Sequence, residues 1–229
     1  MDLKWKAGAA KSKILTYPEN QVMLGYAHPS RNYVRGVKTP LFVRCLTLEL
    51  ENNYLILINY ETGFITEALR RELSQRIINT FSSLNLSFDN ILISAQHTHS
   101  APSGYDEYFY YSIPGKGFYP EYLEVLVKHG LEAVSKALES HDERDLYWIR
   151  KDLPADLAIA RNRAMKSWRR NTNVDKSKNE VSAFDRRMGI LGFYNEKQEP
   201  TAFWNWFACH ATCLGNKNTL ISSDNKGYA

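Results

Sequence analysis

Between Gln96 and Tyr105 the chain reads Gln-His-Thr-His-Ser-Ala-Pro-Ser-Gly-Tyr, which sets two imidazoles, His97 and His99, two residues apart. In extended backbone, side chains at i and i+2 point to the same side. Both rings can then converge on one metal ion, or one can hold metal while the other moves protons. The run directly follows the apolar stretch Ile91 to Ala95, and functional loops of α/β proteins gather at the carboxyl ends of strands. The plainer alternative is a pair of loop histidines hydrogen-bonded to backbone. A second cluster, Phe207-Ala208-Cys209-His210-Ala211-Thr212-Cys213, also ends an apolar stretch, and His210 is a candidate third ligand from a separate strand. Cys209 and Cys213 have metal-compatible spacing and, with His97 or His99, would close a structural zinc site. Against this, Cys209 and His210 diverge from an extended backbone, and inert thiols are commoner than ligating ones.

The other histidines point to structural roles. His129 falls on the polar side of a helical pattern, His141 just past that pattern's end, and His28 before Pro29 in a turn-rich segment. No serine sits in a Gly-x-Ser-x-Gly elbow, so an α/β-hydrolase is not supported, and no Gly-rich phosphate loop occurs. A Ser223–His99–Asp224 relay can be drawn, but nothing in the spacing favours it.

The elements that must carry these residues follow from periodicity. The segment up to Pro40, with Gly8, Pro18, Gly25, Pro29 and Gly36, reads as turns and short strands. Leu41 to Leu50 and Tyr54 to Tyr60 read as strands joined by a tight hairpin at Glu51-Asn52-Asn53. From Thr66 to Phe81 the apolar residues Leu69, Leu73, Ile77 and Phe81 fall four apart, which predicts an amphipathic helix. A short buried strand at 90–95 leads into a polar and aromatic loop from Gln96 to Gly117. Pro120 opens a second helix whose stripe is Leu123, Val127, Leu131, Val134 and Leu138. Strands are also predicted at Leu146 to Ile149, Met188 to Tyr194 and Ala202 to Ala208, with a solvated loop from Lys166 to Ser182. Strands alternating with helices argue for an α/β fold, a mixed β-sheet with helices packed on it.

Length and composition bound the function. A chain of 229 residues suits one domain of generous size, and 44% hydrophobic with 24% charged residues excludes disorder throughout. The net charge of +4 is too mild to imply a nucleic-acid partner. Three cysteines are too few for a disulfide scaffold. No apolar run approaches the length of a transmembrane helix, and the first residues lack the apolar region of a secretory signal, which together suggest a cytoplasmic location.

Taken together, the histidine motifs resemble those of neutral ceramidases, zinc amidases that cleave the N-acyl bond of ceramide. Ala95 to Tyr105 is similar to their Thr-His-Thr-His-Ser-Gly-Pro-Gly-Gly-Tyr stretch, with Gln96 in place of a threonine and Ala101 and Ser103 in place of glycines. Asn205 to Thr212 resembles their second histidine motif, and Ile221 to Ala229 the segment that follows it. Met23-Leu24-Gly25-Tyr26, Asn162-Arg163 and the strand at 185–193 are weaker matches, all in order along the chain. The resemblance implies that His97 and His210 ligate Zn2+, that His99 lies beside a catalytic serine, and that Arg163 lines the site near the scissile amide. It implies an N-acyl lipid substrate and the N-terminal portion of a ceramidase-like catalytic domain over residues 1–229. The family's nucleophilic serine, and a glutamate and tyrosine that complete its zinc site, come from further along the family chain. On that basis the expectation is a truncated chain with weak metal affinity and little amidase activity by itself. The alternative is a non-catalytic module keeping the fold and a vestigial metal pocket, and a third reading is a different metallohydrolase that completes its site with Asp224, Glu61 or Asp106.

Overall fold

The structure, a computed structural model of the chain, describes residues 5–18, 21–26, 32–157, 160, 162–173, 175 and 183–229. His28 therefore lies outside the described residues, as does much of the 166–182 loop. Two compact units form: Met1–Arg144 with Ala211–Ala229, and Asp145–His210.

The first unit is built on four strands: β1 (Trp5–Ile14), β3 (Leu41–Leu50), β4 (Asn53–Tyr60) and β5 (Ile91–Ala95). A two-residue strand, β2 (Gly36–Val37), precedes β3. β3 and β4 form the expected hairpin, its turn made by Glu51 and Asn52, both in the left-handed region at φ 51° and 64°. Two positive-φ residues in succession give the turn whose twist matches that of the flanking strands. β4 and β5 run parallel, joined by α1 (Glu67–Thr80), whose first turn is capped by Thr66 Oγ1 accepting from the Leu69 amide at 3.1 Å. After β5 come a one-turn helix, α2 (Phe109–Ser112), and the long helix α3 (Pro120–Glu139). The loop of 96–117 thus contains a turn of helix that periodicity does not reveal.

The opening segment differs most from its sequence reading. Rather than turns and short strands, it holds the ten-residue strand β1, paired with β3 from Lys6↔Glu49 to Ile14↔Leu41. Small residues hide it. Its core-facing side reads Gly8, Ala10, Ser12, Ile14, because α3 lies against it. A Cβ at Gly8 would sit 1.9 Å from the Ala137 carbonyl oxygen. Those residues share a face with Val43 and Cys45 of β3 and with Ile56, Ile58 and Tyr60 of β4, which the register pairs side by side. This face packs on Leu69, Leu73 and Ile77 of α1 and on Leu126, Val127 and Val134 of α3. Tyr60, fully buried, donates its hydroxyl to the Leu126 carbonyl at 2.9 Å.

His129 departs from its expected polar position. It is buried, with Nδ1 2.8 Å from Ser12 Oγ, and Ser12 Oγ donates to Glu132 Oε2 at 2.9 Å. A buried hydrogen-bonded imidazole on the β1-facing side of α3 is still structural.

β6 (Asp142–Asp152) begins in the first unit, where Asp142, Glu143 and Arg144 pair with β1. In the second unit its remainder pairs antiparallel with β7 (Arg187–Tyr194), and β7 with β8 (Pro200–Phe207). A one-turn helix, α4 (Met165–Trp168), lies between β6 and β7 in sequence. Back in the first unit, the two-residue strand β9 (Leu220–Ile221) pairs parallel with β2, and α5 (Asp224–Tyr228) closes the chain. Strands with helices packed on them are the α/β arrangement the periodicity implies. Among the described residues, no helix is long and apolar enough to cross a membrane.

Candidate metal centre

β5 ends at Ala95, and the next five residues turn across the carboxyl ends of the parallel strands β4 and β5. Their backbone is tied on every side. Gln96 and His97 donate their amides to the carbonyls of Tyr60 at 2.9 Å and Thr62 at 3.1 Å, just past β4. The amide of Leu24 donates to the Ala101 carbonyl, and that of Ser103 to the Val22 carbonyl. From the other side, Gln96 Nε2 donates to the Ser223 carbonyl at 2.9 Å and Thr98 Oγ1 to the Ser222 carbonyl at 2.7 Å. Gln96, Thr98 and Ser100 are all buried, so these polar groups need the partners they have.

His97 sits at φ +68°, in the left-handed region that a non-glycine residue rarely occupies. Such a conformation persists where the surroundings over-determine it, and it clusters at functional sites. Its Nδ1 hydrogen-bonds the Gly63 carbonyl oxygen. A carbonyl only accepts, so Nδ1 carries the proton and Nε2 presents its lone pair outward. Metal-binding histidines are oriented by this kind of contact.

His99 turns back towards His97. The two Nε2 atoms are 3.3 Å apart and the rings are close to perpendicular, at 85°. The spacing brings both ring nitrogens to one point, as two ligands of one ion or as a ligand beside a proton carrier. Tyr26 packs edge-on against the His99 ring at 4.7 Å and anchors its hydroxyl on the Leu214 carbonyl at 2.5 Å. Gly25 packs against the stem of the same residue: a Cβ there would come within 2.1 Å of His99 Cγ and 2.4 Å of its Cα. Gly25, Tyr26 and Gly63 are the parts of the site that the histidine spacing alone does not reveal. The Met23-Leu24-Gly25-Tyr26 match was their one trace in the sequence, and Gly63 left none, since it acts through a backbone carbonyl.

The remaining candidates fall as follows. His210 is the last residue of the second unit, and its peptide neighbour Ala211, in the first unit, accepts the His99 amide at 3.4 Å. Arg163 is exposed, in a turn just before α4 of the second unit. Asp224 is buried, and its carboxylate accepts from the amides of Cys213 and Leu214, each at 3.0 Å, and of Asn225 at 2.6 Å. That is a carboxylate fastening two turns of chain, not one aimed at an imidazole. Ser223 Oγ lies 3.3 Å from Thr39 Oγ1, beside Ser222 Oγ at 3.0 Å from the same atom. Glu61 is fully buried, accepting from the Phe42 amide at 2.8 Å and paired with Arg44. Burial pushes its carboxyl up, with Arg44 pulling the other way. Asp106 caps the following turn, accepting from the Tyr108 amide at 2.8 Å, and burial raises its carboxyl too. All three acids accept from backbone amides, and Glu61 is also paired with Arg44. Cys45 is buried in the core, where loss of solvation pushes its thiol up and keeps it protonated.

Comparison with known proteins places this architecture. The chain is 28% identical over 226 residues to the neutral ceramidase of Drosophila pseudoobscura pseudoobscura, covering 98% of this chain and 31% of that protein. It is 29% identical over 208 residues to neutral ceramidase 2 of Arabidopsis thaliana, covering 90% of this chain and 27% of the relative. Its fold matches the crystal structure of neutral ceramidase from Pseudomonas aeruginosa with a TM-score of 0.90 at 25% identity, over all of this chain and 35% of that one. The chain thus spans about a third of the length of these relatives. The model of the family described as neutral/alkaline non-lysosomal ceramidase, N-terminal, matches residues 5–229, and the chain belongs to that family.

Proposed function

We propose that these residues form the N-terminal part of a zinc-dependent amidase that hydrolyses the N-acyl bond of ceramide or a related N-acyl lipid. In this reading His97 and His210 hold the zinc and His99 moves the proton. The observation that carries it is His97, whose Nδ1 is fixed on the Gly63 carbonyl while its Nε2 lone pair faces a second imidazole nitrogen 3.3 Å away. The donor set fits the ion, because neutral imidazole nitrogens are ordinary zinc ligands. His210 is supported by the chain path: adjacent Cα atoms are about 3.8 Å apart, and Ala211 is hydrogen-bonded to His99.

Bound zinc would polarise the amide carbonyl and acidify the attacking oxygen. The chain's own residues do the rest. Gly63 fixes the His97 tautomer, and the strained turn at His97 holds its ring in place. Tyr26 and Gly25 hold the His99 ring, so that its Nε2 stays beside His97 Nε2. From there His99 accepts a proton from the attacking oxygen and delivers it to the leaving nitrogen. Arg163 supplies a polar contact to the amide region.

Zinc content by atomic absorption, with fatty acid release from an N-acyl sphingosine, tests the reading. Weak zinc binding by the 229-residue chain, lost in both His97→Ala and His210→Ala, is the expected result. Equal zinc in the parent and both variants overturns it, and zinc without fatty acid release in any relative carrying these residues favours the non-catalytic module.

A further inference from the structure

Two separate stretches of the first unit hold His99, and they meet at one buried carboxylate. The first is the histidine loop itself. Its buried residues Gln96, Thr98 and Ser100 all bond to the segment 222–223. Gln96 Nε2 donates to the Ser223 carbonyl at 2.9 Å, Thr98 Oγ1 to the Ser222 carbonyl at 2.7 Å, and the Ser222 amide to the Ser100 carbonyl at 3.0 Å. The second stretch is the turn from Ala211 to Leu214. The Ala211 carbonyl accepts the His99 amide at 3.4 Å. The Leu214 carbonyl accepts the hydroxyl of Tyr26, whose ring stands edge-on to the His99 ring.

Asp224 joins the two. Its amide donates to Ser222 Oγ at 3.1 Å, and its side chain reaches the other stretch. There Oδ1 accepts from the Cys213 amide and Oδ2 from the Leu214 amide, each at 3.0 Å. The residue is 2% exposed and stands at φ +56°, so it shares with His97 the left-handed backbone that a side chain makes costly. Amides on both oxygens of a carboxylate make charge-assisted bonds, stronger than those between neutral groups. Asparagine, of the same shape, cannot close this junction, because it has one acceptor oxygen. Kept on the Cys213 and Asn225 amides, which Oδ1 serves, that oxygen leaves the NH2 group facing the Leu214 amide, donor against donor. The residue so freed is the one that holds Tyr26.

We infer that Asp224 is a positioning residue for His99: it fastens the 213–214 turn to the histidine loop and, through Leu214 and Tyr26, sets where the His99 ring stands. The positioning follows from the contacts alone; its bearing on proton transfer rests on the amidase reading. His97 hangs on a different anchor, the Thr62 and Gly63 carbonyls, so the two histidines respond differently to the loss of Asp224.

A long-range proton–nitrogen correlation spectrum of the histidine side chains of the 229-residue chain, assigned with His97→Ala and His99→Ala, tests this. Asp224→Asn should shift the His99 ring nitrogens and leave those of His97 in place. Tyr26→Phe, which keeps the ring and removes the hydroxyl, should shift His99 as well. The two changes together should move it no further than Asp224→Asn alone, since they cut one path. Ile77→Val, a buried change in α1, should loosen the core and move neither histidine, which separates positioning from general destabilisation. An unmoved His99 in Asp224→Asn, or shifts from Asp224→Asn and Tyr26→Phe that simply add, overturns the inference. If Asp224→Asn does not fold, an unmoved His99 in Tyr26→Phe overturns it equally. In a full-length relative bearing the same residues, Asp224→Asn should lower kcat by about 10²-fold with KM little changed. A displaced His99 with undiminished turnover leaves the positioning role standing and removes His99 from the proton transfer; an unmoved His99 with lowered turnover does the opposite.

Discussion

His97 and His99 differ in what holds them, and so in what their removal should do. His97 is fixed through its own Nδ1 and strained backbone, as a ligand is, whereas His99 is held by packing against Gly25 and Tyr26. His97→Ala should abolish zinc binding. His99→Ala should keep the zinc and, in an active relative bearing the same residues, lower turnover by about 10²–10⁴-fold, the usual contribution of a positioned acid–base group. Loss of zinc in both variants would make His99 a ligand as well. Gly25 offers a test of the packing that leaves every polar group in place. An added methyl 2.1 Å from His99 Cγ and 2.4 Å from its Cα cannot be accommodated without moving the backbone of Gly25 or of His99. Gly25→Ala should cost about 1–3 kcal/mol in urea unfolding, as overpacking does, and weaken zinc binding with it. Unchanged stability and zinc affinity would mean the two backbone segments can separate without disturbing the site. The histidines were legible because their spacing carries chemistry. Gly25 and Gly63 were not, because one contributes an absence of side chain and the other a carbonyl that every residue possesses.

Among the elements, periodicity located those whose buried positions are large. The β3–β4 hairpin, α1 and α3 show their apolar alternation or stripe directly, and the structure places each within a few residues of its expected bounds. β1 escaped because its partner α3 approaches so closely that glycine, alanine and serine must stand where valine or leucine would mark a strand. The burial of His129 follows from the same approach, since Ser12 offers its imidazole a partner. Where α3 leads into β6, His141 has Nδ1 3.4 Å from Glu49 Oε2 and stacks on Tyr54. Burial holds its pKa below the ordinary 6.5, outweighing the attraction of Glu49, and Lys6 and Arg144 push in the same direction as burial. The unfolded chain therefore binds this proton more readily than the folded one. Stability is fully present above pH 6.5 and falls as the pH drops from there towards the lower folded value. Urea midpoints measured between neutral and mildly acid pH should show that decline, and His141→Gln should flatten it. An equal decline in the variant would assign it to another group.

Across the whole molecule, burial is unevenly divided. Among the described residues, the fully buried hydrophobic side chains lie almost entirely in the first unit, and Phe193 is the one such residue between Asp145 and His210. The second unit's sheet relies instead on its β6–β7–β8 ladder and on ring contacts such as Trp148 to Trp206 at 5.5 Å and Tyr147 to Tyr194 at 5.1 Å. Trp148, Ile149 and Phe203 stay more than half exposed. A three-stranded sheet with so little covered apolar surface should open at lower free energy than β3, β4 and α3, whose amides share one core. Tryptophan reports on this selectively, because Trp148, Trp168, Trp204 and Trp206 all belong to the second unit and Trp5 alone to the first. In urea, tryptophan emission should therefore change at a lower midpoint than the far-ultraviolet helix signal, which comes chiefly from α1 and α3 of the first unit. Peptides of β7 and β8 should exchange their amide hydrogens at least ~100-fold faster than those of β3 and β4. Coincident midpoints without zinc would refute the division into units of unequal stability.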